Sequence, residues 1–169
     1  RITMIKANNN FTVPDICDKF LDEIIIGKTF LNSYGGVDKF CGEISTAECV
    51  HSNSVVKEMV QENGLGKVLF INHTGDDLCS MVGDKIVKEA YKNNWSGIFV
   101  NGFIRDIEII KQISIGVYAK NAYPKKTDKS IGIGKKDSRF LINDTEINPG
   151  EWLYVDLNGW VIAKKELRL

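Results

Sequence analysis

The chain has 169 residues, of which 43% are hydrophobic and 26% are charged, a composition typical of one soluble globular domain. Lysine plus arginine equals aspartate plus glutamate at 22 each, so the net charge gives no basis for general nucleic-acid binding. No apolar run approaches the ~20 residues needed to cross a bilayer, and the first residues lack the apolar core of a secretory signal. We therefore expect a single cytoplasmic domain over residues 1–169, without membrane or direct nucleic-acid contact.

The cysteines and histidines argue against disulfides and zinc. The four cysteines are Cys17, Cys41, Cys49 and Cys79. They form no C-x-x-C pair, and a chain of this size needs no disulfide to fold, so we predict reduced and mostly buried thiols. The two histidines, His51 and His73, are too few for an ordinary His-based zinc site. His73 either contacts a ligand from its loop or, as is more common for a lone loop histidine, is structural or solvated.

The first third of the chain predicts two helices with a strand between them. Thr12 can cap the first helix, and we expect that helix to end near Gly27. The alternation between Gly42 and Val50 favours a strand. The segment 52–54 can cap a second helix, whose C-terminal stop is Gly64.

The middle of the chain predicts a parallel βαβ unit. A helix-like run over 85–94 lies between two apolar runs, 67–72 and 98–100. Ligands of such units bind beyond the carboxyl ends of the strands. Asp84 lies at the start of the helix, whereas Arg105 and Asp106 follow the second strand, so one cation and two carboxylates should converge there.

These residue types suit a metal ion and an acidic substrate. An arginine binds carboxylate or enolate oxygens with two parallel hydrogen bonds, and two carboxylates without His or Cys favour Mg²⁺ or Mn²⁺. The backbone amides of Gly83, Asp84, Lys85 and Ile86 can hold a substrate carboxylate. The alternatives are structural: Asp84 can be a helix cap, and Arg105 with Asp106 can be a surface ion pair at a helix start.

The last third is predicted to be mostly β. A short helical run over 107–112 precedes a strand over 115–119, and three further strands cover 139–143, 151–156 and 160–163. Between them lies a basic loop over 124–136. Its Lys125, Lys126 and Lys129 are either a patch for phosphate or an acidic partner, or simply solvated.

Six blocks, in order along the chain, carry a family resemblance. They are Thr12–Asp18, Phe40–Ser54, Gly64–Leu69, Gly83-Asp84 with Arg105-Asp106, Pro124–Lys126 with Gly132 and Gly134, and Pro149–Asp156 with Asn158-Gly159. The twenty residues between Asp84 and Arg105 match the family's lyase motif. On these blocks the chain resembles the regulator of ribonuclease activity A family, which includes the class II 4-hydroxy-4-methyl-2-oxoglutarate aldolases.

The resemblance implies an α/β domain with a β-barrel-like core flanked by helices, assembled as a homotrimer. It implies a Mg²⁺- or Mn²⁺-dependent lyase that cleaves a carbon–carbon bond of an α-keto acid. Asp106 would anchor the metal, Arg105 would bind the keto oxygen and stabilise the pyruvate enolate, and Asp84 would orient a metal-bound water for proton transfer. The alternatives are a non-catalytic inhibitor of an RNase E-type endoribonuclease and a family member with neither activity.

Two departures from the family pattern affect these expectations. The loop over 72–77, glycine-rich in the family, here carries Asn72, His73 and two acids, which would alter the pocket or its metal binding. The chain also ends soon after Leu167, without the extension of the longer aldolases. We therefore expect oxaloacetate decarboxylation to be favoured over cleavage of substituted aldols.

Overall fold

The computed structural model describes residues 9–76, 78–128 and 133–169. Its helices are α1 (Val13–Phe20), α2 (Ser54–Val60), α3 (Asp84–Lys92) and α4 (Ile107–Ile110), with a 3-10 turn at Leu21–Glu23. Its strands are β1 (Ile24–Ile26), β2 (Asn32–Ser33), β3 (Phe40–Val50), β4 (Val68–His73), β5 (Ser80–Val82), β6 (Gly97–Ile104), β7 (Gly116–Ala122), β8 (Ile133–Lys136), β9 (Phe140–Ile142), β10 (Thr145–Ile147), β11 (Trp152–Asp156) and β12 (Gly159–Ala163).

Ten of these strands form one large mixed sheet in the order β1-β12-β11-β3-β4-β6-β7-β2, with β5 on β6 and β8 on β3. The central pairs β3·β4, β4·β6 and β6·β7 are parallel, and the outer pairs are antiparallel. In chain order, α3 lies between the parallel neighbours β4 and β6. Pairing among the described residues leaves β1 and β2 at opposite ends, so it does not close the sheet into the expected barrel.

The central strands are buried on both faces because alternate side chains enter two different cores. Leu69 and Ile71 of β4 pack in an aliphatic core with residues of α2 and α3. Phe70 of β4 enters an aromatic core with Phe99 of β6 and Trp160 of β12. Since β11 and β3 separate β12 from β4 in the sheet, the contact of Phe70 with Trp160 shows that the sheet curls strongly around this core.

The start of the chain follows its sequence signals, but α1 is shorter than predicted. The Thr12 side chain accepts a hydrogen bond from the Asp15 amide, as a helix cap should. The helix ends at Phe20 rather than near Gly27, because the three isoleucines Ile24–Ile26 pair with β12 as strand β1. Branching at Cβ favours the extended backbone, and pairing with a sheet edge outweighs the weak helical pattern.

One hairpin was missed in the sequence. Strands β9 and β10 pair with each other through the two-residue turn Asn143-Asp144, both in the left-handed region at φ 43° and 66°. Asparagine and aspartate tolerate this conformation better than most residues, so these two residues suit a two-residue hairpin loop.

Among the described residues, no helix combines the length and apolar character needed to span a bilayer. None of the four cysteines is in a disulfide, as predicted.

Candidate functional site

The candidate site lies where β5 and β6 end side by side. These strands pair in parallel through Ser80 with Phe103 and Val82 with Ile104. The Arg105 amide continues the ladder by donating to the Val82 carbonyl at 3.0 Å. Since α3 begins directly after β5 and Arg105 directly follows β6, the pairing itself brings Gly83 and Asp84 next to Arg105 and Asp106.

Asp106 connects the two chain segments. Its Oδ2 accepts a hydrogen bond from the Asp84 amide at 3.1 Å, so this carboxylate caps the start of α3. Its own backbone is left-handed at φ 65°, an uncommon conformation for a residue other than glycine that is found preferentially at functional sites. A Cβ on Gly83 would lie only 2.7 Å from Asp106 Oδ2, so the absence of a side chain there makes room for the carboxylate.

The carboxylate of Asp84 is held in its charged form. Lys88, one helical turn along α3, donates to Asp84 Oδ2 at 3.0 Å. That hydrogen bond is the main cause that lowers the pKa of Asp84 below its ordinary value, against the opposing effect of burial. Direct interaction with the Asp106 carboxyl lowers the pKa of Asp84 further.

Arg105 is half-buried, and its guanidinium is anchored at one end. Nη1 donates to the Pro124 carbonyl at 3.3 Å, so the side chain leans toward the segment that follows β7. A guanidinium has five N–H donors in one plane, so the donors on the edge away from Pro124 can bind an anion in the adjoining cavity.

All six predicted site residues line one open cavity of about 740 Å³. Its lining among the described residues comprises Asn53, Lys57, Ser80, Gly83, Asp84, Lys85, Ile86, Arg105, Asp106, Lys125, Lys126, Thr127 and Asp128. Five of these side chains are basic and three are acidic. The excess of positive charge favours an anionic ligand, and a concave site concentrates that field.

One wall of the cavity comes from segments that sequence reasoning did not assign to the site. The Ser80 amide donates to the Lys125 carbonyl at 2.7 Å, which fixes the 124–128 segment beside β5. Buried Asn53, expected only as a helix cap, donates to the Met81 carbonyl at 3.0 Å and accepts from Thr127 Oγ1 at 3.3 Å. Asn53 therefore ties α2, β5 and this segment together.

The basic loop contributes in part. Lys125 and Lys126 lie on the cavity wall, whereas Lys129 lies outside the described residues. Lys57 of α2 is a cavity residue that the sequence gave no reason to select. The sequence indicated only that Lys57 lies one helical turn after Asn53 on α2, a helix that begins near the ends of the parallel strands.

The site also contains a place that suits a hard cation. Asp84 and Asp106 line the same cavity, and the 3.1 Å hydrogen bond from the Asp84 amide to Asp106 Oδ2 holds the two residues together. A cation bound between two carboxylates offsets their mutual repulsion. Their donors are all oxygen, and one or two carboxylates are what Mg²⁺ uses when water and substrate complete its shell. The residues present therefore fit a Mg²⁺ or Mn²⁺ ion.

A curled mixed sheet with helices packed against it makes this chain an α/β protein, and the cationic cavity lies at the ends of parallel strands, where such proteins commonly bind ligands. More specifically, the chain belongs to the RraA-like family, described as Aldolase/RraA, whose model matches residues 13–162. A relative from Pseudomonas fluorescens named "Putative 4-hydroxy-4-methyl-2-oxoglutarate aldolase" is 36% identical over 161 residues, which cover 95% of this chain and 98% of that protein.

Two solved structures share the fold closely but have different names. One, described as an S-adenosylmethionine: 2-dimethylmenaquinone methyltransferase from Geobacillus kaustophilus, has a TM-score of 0.88 and 31% identity, and the match covers 93% of this chain and 97% of that one. The other, the RNA-processing inhibitor RraA from Thermus thermophilis, has a TM-score of 0.87 and 27% identity, with 93% and 94% covered. Because one fold has several named activities, the function must be argued from the site.

Proposed function

We propose that this protein is a divalent-metal-dependent lyase that cleaves a carbon–carbon bond of an α-keto acid, with oxaloacetate as the first substrate to test. The observation that carries the proposal is the one cavity lined by Arg105, Asp84 and Asp106, in which the Asp84 amide donates a hydrogen bond to Asp106 Oδ2. The curated relatives with the aldolase name support the same reaction class, since aldol cleavage and decarboxylation both produce a pyruvate enolate.

The proposed reaction needs positive charge at the keto oxygen. When the bond to the leaving carboxylate breaks, its electron pair moves into the keto group, carbon dioxide departs and the enolate of pyruvate remains. Held by Asp106, a Mg²⁺ or Mn²⁺ ion would supply Lewis acidity at that oxygen. The free edge of the Arg105 guanidinium donates hydrogen bonds to the same developing negative charge.

The helix start orients the substrate. The Asp84 amide donates to Asp106, and the amides of Lys85 and Ile86 lie in the first helical turn, where no carbonyl of the helix can accept from them. We assign them, with Gly83, to a substrate carboxylate, and the surrounding lysines add attraction for the dianion. Orientation of this kind reduces the entropic part of the barrier.

The reaction ends with a proton added to the enolate carbon. The lowered pKa of Asp84 keeps this group ionised near neutral pH, so it is a poor source of its own proton. We therefore assign it to accept a hydrogen bond from a water molecule and to orient that water toward the carbon.

The test is pyruvate release from oxaloacetate in the presence of Mg²⁺ or Mn²⁺, corrected for the rate with metal alone. Arg105→Ala should lower kcat/KM by about 10²- to 10³-fold, the usual effect of losing one donor to a developing oxyanion. Arg105→Lys should recover little of this loss because it restores charge but not the planar fork. Arg139→Ala is the matched control, since Arg139 pairs with Glu146 on the surface, away from the cavity. Wild-type activity in Arg105→Ala would reject the proposal.

The likeness to an RNA-processing inhibitor supports a second candidate function, restraint of an RNase E-type endoribonuclease by protein contact. The purified chain would then slow RNA cleavage by such an enzyme, and Asp106→Asn would leave the inhibition unchanged. Inhibition together with no pyruvate release would favour this second function over the lyase. The expected homotrimer is checked separately by sedimentation or light scattering.

A further inference from the structure

We propose that His51, His73 and Cys79 form a second metal site, selective for a thiolate-preferring divalent ion such as Zn²⁺. One ligand atom from each residue lies within 4.8 Å of the other two. Two imidazoles and a thiolate are the donor types that zinc selects, and three protein ligands leave a fourth position for water or another ligand. This inference is independent of the proposed lyase function.

The sheet topology explains how residues so far apart in sequence meet. His51 follows the end of β3, and His73 ends its parallel neighbour β4. One side of β6 pairs with β7, and the other side pairs first with β4 and then with β5. The last pair with β4 is Asn72 with Asn101, and the first with β5 is Ser80 with Phe103. Strand β4 ends at His73, and β5 begins directly after Cys79. His73 and Cys79 therefore lie at the two ends of the short connection between these strands.

The distances need only a small contraction to hold an ion. Cys79 Sγ and His73 Nε2 are 4.0 Å apart. Bonds of about 2.0 Å to nitrogen and 2.3 Å to sulfur at a tetrahedral angle put these two atoms about 3.5 Å apart. The two imidazole rings lie nearly perpendicular, with centroids 5.8 Å apart.

Gly75 marks a point on which both imidazoles converge. A Cβ on this residue would lie 2.7 Å from His51 Nδ1 and 2.8 Å from His73 Nε2. Two ring nitrogens therefore face one small volume that any larger residue would fill.

Burial and donor chemistry separate this cluster from the Asp106 site. The Cys79 side chain is 3% exposed, whereas both histidines are partly open to solvent, so an ion would enter from the imidazole side. The cluster offers nitrogen and sulfur and the Asp106 site offers oxygen. Zinc or cobalt should therefore prefer the cluster, and magnesium should prefer the carboxylates.

The test is a titration of the chelator-treated, reduced full chain with Co²⁺, followed by displacement with Zn²⁺. We expect one ion per chain with the thiolate-to-cobalt charge-transfer absorption that a cysteine ligand produces, and a rise in Tm with Zn²⁺. Cys79→Ser should abolish that absorption and weaken Zn²⁺ binding by at least about 100-fold, since even outer-shell partners are worth 10- to 100-fold. His51→Gln should weaken Zn²⁺ binding but keep the absorption.

Two controls make the test specific. Cys17→Ser and Cys41→Ser each remove a thiol outside the cluster, in the packing around α1, so both should keep the charge-transfer absorption of the wild type. Absence of the charge-transfer absorption in the wild type, or its persistence in Cys79→Ser, would overturn the proposal. His51→Gln covers the case in which Cys79→Ser fails to fold, because unchanged Zn²⁺ affinity in that variant would also overturn it.

Discussion

Asp106 Oδ2 accepts a hydrogen bond from the Asp84 amide at 3.1 Å, so the acid that follows β6 caps the helix that follows β5. The residue proposed to anchor the metal therefore also fixes the helix start proposed to bind the substrate carboxylate. The Asp106 side chain thus caps α3 and is also the proposed metal ligand. A substitution that removes only one of these two roles is needed to measure either of them.

Asp106→Asn should separate the two roles. Asparagine tolerates the left-handed backbone and offers an oxygen for the Asp84 amide, but it has no charge for a divalent ion. We expect metal-dependent pyruvate release to fall about 100-fold or more, as for loss of a key charged group at a site of this kind. The free energy of unfolding in urea should stay close to that of the wild type.

Asp106→Ala is the companion variant for this prediction. It removes the cap as well as the charge, so it should also lower the free energy of unfolding by about 1–2 kcal/mol. Equal stability of the alanine and asparagine variants would show that the 3.1 Å hydrogen bond contributes nothing to the fold.

Gly83→Ala should damage the site without damaging the fold. The backbone at Gly83 is extended, with φ −121° and ψ −171°, so alanine can adopt it without strain. Its Cβ would lie 2.7 Å from Asp106 Oδ2, which forces the carboxylate to move. We expect the apparent affinity for Mg²⁺ or Mn²⁺ to fall with the rate, while Tm falls no further than in Asp106→Ala, which loses the same cap. A full rate at saturating metal with unchanged metal affinity would contradict this.

The sequence predicted the part of the candidate site that lies at the ends of neighbouring elements in the middle of the chain. Asp84, Arg105 and Asp106 are marked by their positions at the ends of consecutive elements, and parallel strands place such positions at one edge. Nothing in the sequence indicated that Asp106 would turn its side chain back to α3 instead of capping its own helix, since that depends on a left-handed backbone.

The remaining half of the site depends on contacts between distant segments. Asn53 reads as a helix cap because its neighbours are helical, and its bonds to Met81 and Thr127 appear only when three elements pack together. The cluster of His51, His73 and Cys79 was missed for the same reason, since periodicity carries no information about strand order. Two histidines alone predict no zinc site, and the sequence does not show that Cys79 lies beside them.

The packing of the Phe40 ring against Gly97 could not be predicted from the sequence, and Gly97→Ala tests it. Gly97 and Gly116 are paired on neighbouring strands β6 and β7, and the Phe40 ring lies against both, where a Cβ would overlap it. Gly97→Ala should therefore lower the free energy of unfolding by about 1–3 kcal/mol through overpacking. In urea denaturation, the same change should cost clearly less in a Phe40→Leu background, because the smaller side chain leaves room. Equal costs in both backgrounds would place the strain elsewhere.

Lys88 should set the acid limit of the activity. Its hydrogen bond is the main cause that lowers the pKa of Asp84 from the ordinary 3.8, so Asp84 stays ionised as the pH falls toward that value. A lowered pKa means that this pair contributes stability above the unfolded-state pKa, and the contribution is lost as the pH falls through the folded-state pKa. Because Lys88 is exposed and Asp84 is partly exposed, solvent screens that contribution, and activity is the better readout.

Lys88→Gln removes the charge and should raise the pKa of Asp84, which moves the acid limb of kcat/KM for pyruvate release to higher pH. Lys92→Gln is the matched control, since it removes an exposed lysine from the last turn of the same helix and should leave the limb in place. If both variants keep the wild-type profile, the acid limb belongs to a group other than Asp84. If both shift it equally, the effect comes from the overall charge of α3 rather than from the 3.0 Å contact between Lys88 and Asp84.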